Sequence, residues 1–81
     1  MAHQGWLRDS KNRWALHFLQ VPRAFDNEIY VYIDKWNVSS IGTPEKFIDR
    51  RKVALLPAIE TWNELVGLGW SIVDKQFGMF A

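Results

Sequence analysis

The chain has 81 residues, 10 Lys and Arg against 9 Asp and Glu, a formal net charge of +1 and no Cys. That length supports one core, the balanced charge gives no overall field for nucleic acid or an anionic membrane, and the missing thiols exclude disulfides, thiolate metal sites and Cys nucleophiles. A hydrophobic share of 48% beside 23% charged residues marks a globular chain, and five Trp make large rings its main means of burying area.

Trp6-Leu7-Arg8-Asp9 predicts a short strand, and the polar Ser10-Lys11-Asn12 a turn. Trp14 to Leu19 then predicts a second strand, closing a hairpin. Period two places Trp14, Leu16 and Phe18 on one face and Ala15, His17 and Leu19 on the other. Pro22 ends this strand, because proline cannot donate to a ladder, and Phe25-Asp26-Asn27 reads as a loop. Glu28 to Asp34 carries the clearest alternation: Ile29, Val31 and Ile33 against Tyr30, Tyr32 and Asp34, with Trp36 continuing the second set. Asn37 to Pro44 has loop composition. Glu45 to Val53 fits two readings, a short helical turn after Thr43-Pro44 or an extended segment.

Pro57 suits the first turn of a helix. Ile59, Trp62, Leu65 and Val66 recur at helical spacing, while Glu60, Asn63 and Glu64 face away. Glu60 lies toward the positive end of the helix dipole, and Gly67 and Gly69 supply the stop. Trp70 to Lys75 predicts a last strand, and Gln76 to Ala81 a tail. The order β-β-β-α-β implies a single α+β domain, ordered over about residues 5–76. It is a small antiparallel sheet of roughly three to five strands with one amphipathic helix on one face. The expected core sets Trp14, Leu16, Phe18, Ile29, Val31 and Ile33 against Ile59, Trp62 and Val66.

The pattern Gly5-Trp6-Leu7-x-Asp9, Trp14-x-Leu16-x-Phe18 and Tyr30-Val31-Tyr32-Ile33-Asp34 resembles a family of small cyanobacterial proteins of unknown function. So do Arg50-Arg51-Lys52, Ala58-x-Glu60-x-Trp62-x-Glu64-Leu65 and Gly69-Trp70-x-x-Val73. The likeness covers about residues 5–76 and implies a compact single domain without implying an activity. Ile48-Asp49 before the Arg pair departs from the more basic segment usual in that family. A fainter likeness to the tryptophan-glycine-arginine domain of nucleic-acid-dependent polymerases lacks that domain's defining tripeptide and is an analogy of fold alone.

The residues support no catalytic constellation. His3 lies in the terminus, and His17, with Asp9 or Asp34 near it, is the single candidate base. Glu60 and Glu64 are a solvated helix face. Gly67-Leu68-Gly69 stands at the wrong end of a helix to hold an anion, and two distant His without Cys make no metal site. The chain is therefore read as non-catalytic and without a cofactor. Charge is uneven along it: +3 over residues 1–25, −3 over 26–49, +3 over 50–52 and −2 over 53–81. Arg50, Arg51 and Lys52, joined by Arg8, Lys11 and Arg13, with Tyr30, Tyr32 and Trp36 as stacking rings, form a candidate nucleic-acid contact.

The stronger expectation concerns the sheet face that the helix leaves open. His17, Leu19, Tyr30, Tyr32 and Trp36 are too apolar and aromatic for a face left in water. They predict a protein-interaction face for a partner or a second copy of the chain, unless the segment 37–53 or the tail with Phe77, Met79 and Phe80 covers it. No apolar run approaches the ~18 residues of a membrane span, and Met1 to Gly5 lacks a basic, apolar leader pattern. The expected setting is cytoplasmic, away from membranes.

Overall fold

The computed structural model describes residues 5–21 and 28–73. Its elements are β1 (Gly5–Arg8), β2 (Trp14–Gln20), β3 (Tyr30–Val38), β4 (Pro44–Ala54), α1 (Leu55–Gly67) and β5 (Ser71–Val73). The strands form one antiparallel sheet in the order β4-β3-β2-β1-β5, so the fold is α+β as the alternation implied. The first four strands run as a meander. The helix then carries the chain from β4 at one edge to β5 at the other.

Local chemistry sets the turns. At β1–β2, Asp9 Oδ1 accepts the N–H groups of Arg13 at 2.7 Å and Trp14 at 3.0 Å. Asn12 takes the left-handed conformation there, φ 62°, which its short polar side chain tolerates. At β3–β4, the Ser39 N–H donates to the Thr43 carbonyl at 2.7 Å and the two hydroxyls lie 3.0 Å apart. The loop is therefore only residues 39–43. Asn37 and Val38 belong to β3 and Pro44 to β4, which corrects the longer expected loop. Of the two readings of 45–53, the extended one holds. A long edge strand exposes much of both faces and needs no apolar alternation.

The helix begins two residues before Pro57, which falls inside the first turn where its missing N–H costs nothing. The Leu55 N–H, free at a helix start, donates to the Ile29 carbonyl at 3.0 Å. Glu60 lies beyond the first turn, so the helix start carries no acidic complement. The stop is a Schellman motif: Trp70 N–H to Leu65 carbonyl at 3.0 Å and Gly69 N–H to Val66 carbonyl at 3.1 Å, with Gly69 at φ 101°.

The main core lies between α1 and one sheet face. Leu7, Phe18, Val31, Ile33, Ala58 and Trp62 are buried, with Leu16, Val53, Leu55, Leu65 and Trp70 packed against them. The helix is thus rotated from the expected face. Leu55, Ala58, Trp62 and Leu65 point inward, while Val66 is 38% exposed. Ile59 and Ile29 are half-buried outside this cluster, and Trp14 is half-buried beneath the Lys35 ammonium, 4.2 Å from its ring. Trp62 meets Phe18 edge to face with centroids 5.1 Å apart. Its ring also closes on Gly5, where an added Cβ would stand 3.3 Å from the indole, and Gly5 has φ 147°. Only glycine meets both demands easily. The expectations for residues 3, 22–27 and 74–81, including the Phe77, Met79 and Phe80 tail, lie outside the described residues.

Candidate functional site

The sheet face away from α1 is built by register. Pairing sets Trp6 against His17, His17 against Asp34 and Asp34 against Arg50, a row across four strands. The neighbouring rows set Leu19 against Tyr32 and Tyr32 against Lys52, then Arg8 against Ala15, Ala15 against Trp36 and Trp36 against Phe47. All five predicted residues, His17, Leu19, Tyr30, Tyr32 and Trp36, therefore share one face.

That face is not bare. Trp6 and Ala15 are buried in it, forming a second, smaller core with Trp36, Val38 and Val73 around them. The His17 imidazole stacks on Trp6 with centroids 4.0 Å apart and planes 8° from parallel. Trp36 tilts against Trp6 at 6.1 Å and meets Phe47 edge to face at 5.5 Å. Toward the β4 edge, cations cover the tyrosines. The Arg50 guanidinium lies 4.1 Å from the Tyr32 ring centre, and the Lys52 ammonium 4.5 Å from that of Tyr30. The 37–53 segment therefore does not roof the face as a loop. It extends the sheet as a strand and lays two side chains over the rings.

At the centre, Asp34 is 4% exposed and receives both arms of Arg50, Nε to Oδ1 at 2.7 Å and Nη2 to Oδ2 at 2.9 Å. This fork satisfies a carboxylate that would otherwise be buried unpaired. The hydrogen bond to Asp34 holds the Arg50 guanidinium above its ordinary value, so Arg50 stays charged at any physiological pH.

Burial holds the His17 imidazole below its ordinary value of 6.5; Asp34 opposes this and Arg50 adds to it. The unfolded chain thus takes up a proton that the folded chain resists. The stability this represents is complete above pH 6.5 and is lost as pH falls through the lowered folded value. Thermal melts are expected to show Tm dropping as the pH is lowered from about 7 to 5, and His17→Gln to lose part of that slope. Parallel Tm curves for parent and variant would rule this out.

The structure also separates groups that sequence brought together. Asp9 is spent on the β1–β2 turn and does not face His17. Arg51 pairs in register with Ile33, on the helix side, so Arg50, Arg51 and Lys52 alternate between faces. Arg8 donates to the Gly42 carbonyl at 3.2 Å, near the end where β4 begins, and does not join them. A groove of about 330 Å³ lies at the helix start, lined by Glu28, Ile29, Ala54, Leu55, Leu56 and Pro57, apart from His17. Among the described residues, no three His, Cys, Asp or Glu converge as a metal site would require, and no helix is long and apolar enough to cross a membrane. Sequence reasoning left out Trp6 and Phe47. A strand as short as β1 does not reveal which face it turns inward, and Phe47 joins the face only once 44–54 is extended.

Residues 4–77 match the family described as protein of unknown function (DUF1651). The chain belongs to that family. No curated protein and no solved structure matches it. In this DUF1651 chain, the residues that carried the resemblance mostly build the fold: Gly5 admits Trp62, Asp9 closes a hairpin, and Gly69-Trp70 ends the helix. Trp6, Tyr30, Tyr32, Asp34, Arg50 and Lys52 are among those gathered on the open face.

Proposed function

We propose that this chain is a small, non-catalytic protein-interaction module that docks a protein partner on its open sheet face. The observation that carries this reading is the paired row of half-buried rings and cations there: Tyr30 with Lys52, Tyr32 with Arg50, Trp36 with Phe47. Tyr, Trp and Arg dominate binding energy at interfaces, because they offer large area at modest entropic cost and a polar tip. His17 and Leu19 extend the contact area beside them. Of the strand residues that register on this face, Arg8, Arg50 and Lys52 are cationic and Asp34 is anionic, with Glu45 at the register slip at its end. Two copies laid face to face would oppose like charges, so the partner is a protein whose contact rim carries carboxylates. A cytoplasmic setting follows as part of the same proposal.

The test is affinity capture with the tagged chain beside Tyr32→Ala. Truncating an interface anchor is worth about 2 kcal/mol or more, about thirty-fold in affinity. A protein held by the parent and released by the variant, with unchanged melting of the domain, supports the reading. An identical retained set defeats it.

Nucleic-acid binding is the second reading, favoured by three consecutive exposed cations, Arg50, Arg51 and Lys52, on an edge strand. Against it, Arg50 is committed to Asp34, and both tyrosine faces already carry a cation where a base would stack. It requires retardation of single-stranded nucleic acid at low salt that fades steeply as salt rises.

A further inference from the structure

We propose that two copies of this chain pair through their β4 edges, antiparallel, about a two-fold axis at the Phe47–Ile48 peptide. Among the described residues, β4 bonds to β3 on one side and is the sheet edge on the other, and at 11 residues it is the longest described strand. Phe47 and Ile48, near its middle, are 46% and 40% exposed. An open edge with apolar residues at its centre is a template for another strand, and the sequence beside it specifies which one.

Glu45-Lys46-Phe47-Ile48-Asp49-Arg50 is self-complementary when reversed. It sets Glu45 against Arg50, Lys46 against Asp49 and Phe47 against Ile48 of the second copy, and each pair occurs twice by symmetry. Three of the neighbouring registers oppose like charges. A centre at Phe47 opposes Glu45 to Asp49, one at Ile48 opposes Lys46 to Arg50, and one between Ile48 and Asp49 opposes Lys46 to Arg51. Like charges directly across a ladder are destabilising.

The faces agree as well. In a regular strand Lys46 and Asp49 would point to opposite sides. Here the register with β3 slips between Lys35 and Trp36, leaving Ile48 as an extra residue, and slips again at Glu45. Lys46 and Asp49 then lie opposite Asn37 and Lys35 on the helix side, while Phe47 and Arg50 lie opposite Trp36 and Asp34 on the open side. The irregularity thus puts Lys46 and Asp49, which this register pairs, on one side of the strand as well as in opposite charge. The two-fold axis stands perpendicular to the sheet, so both open faces end on the same side of a continuous ten-stranded sheet. The pairing shares Phe47 and Arg50 with the open face, while Lys46 and Asp49, on the helix side, test it separately.

The measurement is sedimentation equilibrium of the full chain at low ionic strength. The parent is expected to dimerise. Lys46→Asp and Asp49→Lys each turn two symmetry-related attractions into repulsions and are expected to weaken the dimer about tenfold. The double variant K46D/D49K restores opposite charges and regains the parent constant, and an equimolar mixture of the two single variants forms a heterodimer tighter than either homodimer. Both positions are exposed, and a thermal melt confirms that each variant is folded. A monomeric parent, singles that dimerise as the parent does, or a double variant as weak as the singles would each overturn the pairing. Leu19→Ala, on the docking face and away from β4, leaves this constant unchanged, which separates failure here from failure of the docking face.

Discussion

Trp62→Ala is expected to lower stability by about 3–5 kcal/mol, because it removes the largest side chain of the helix–sheet core. Trp62 is 6% exposed, packs edge to face on Phe18 and fills the space that Gly5 leaves without a side chain. Glycine has nothing to collapse into the resulting cavity, so the loss belongs toward the upper end of that range. Domains of this size hold about 5–15 kcal/mol in all, and each kcal/mol is worth about 4–8 °C in Tm. A drop of about 15 °C or more, read by far-ultraviolet circular dichroism, is the expected outcome. A melt superimposable on the parent would remove Trp62 from the core.

Leu7→Ala is the second large effect, about 2–5 kcal/mol. Leu7 is completely buried, and its strand is enclosed by β2 on one side and β5 on the other. Nothing on β1 can swing inward to replace it, since Gly5 has no side chain and Trp6 and Arg8 point to the other face. Urea unfolding is expected to show a lower midpoint with an unchanged slope, the mark of lost stability without a changed denatured state. An unshifted midpoint would show that this position is not part of the core.

The strands of strict alternation were legible because each has one wet and one dry side. Leu16 and Phe18 in β2 and Val31 and Ile33 in β3 announce their face directly. The helix was legible as a helix but not in rotation. Leu55, Leu56, Ala58, Ile59, Leu65 and Val66 spread apolar side chains over about half of its circumference, so spacing alone did not choose between Ala58 and Val66. β4 was hidden for the opposite reason: Glu45 to Lys52 is mostly charged, and two register slips break its period. On the open face, the grouping of His17, Leu19, Tyr30, Tyr32 and Trp36 followed from period two. The Asp34–Arg50 fork did not, because a contact across 16 residues exists only once the register of β4 is set.

The place of β1 between β2 and β5 bears on how a growing polypeptide acquires this structure. β1 through β4 each find a neighbour adjacent in the chain, and these ribbons can close while synthesis continues. Ile72 meets Leu7 across a separation of 65 positions, a pairing that waits until the helix has been made and laid down. Until then the nascent molecule presents β1 as a raw margin beside its best-buried leucine, and the three residues of β5 act as the latch that seals it.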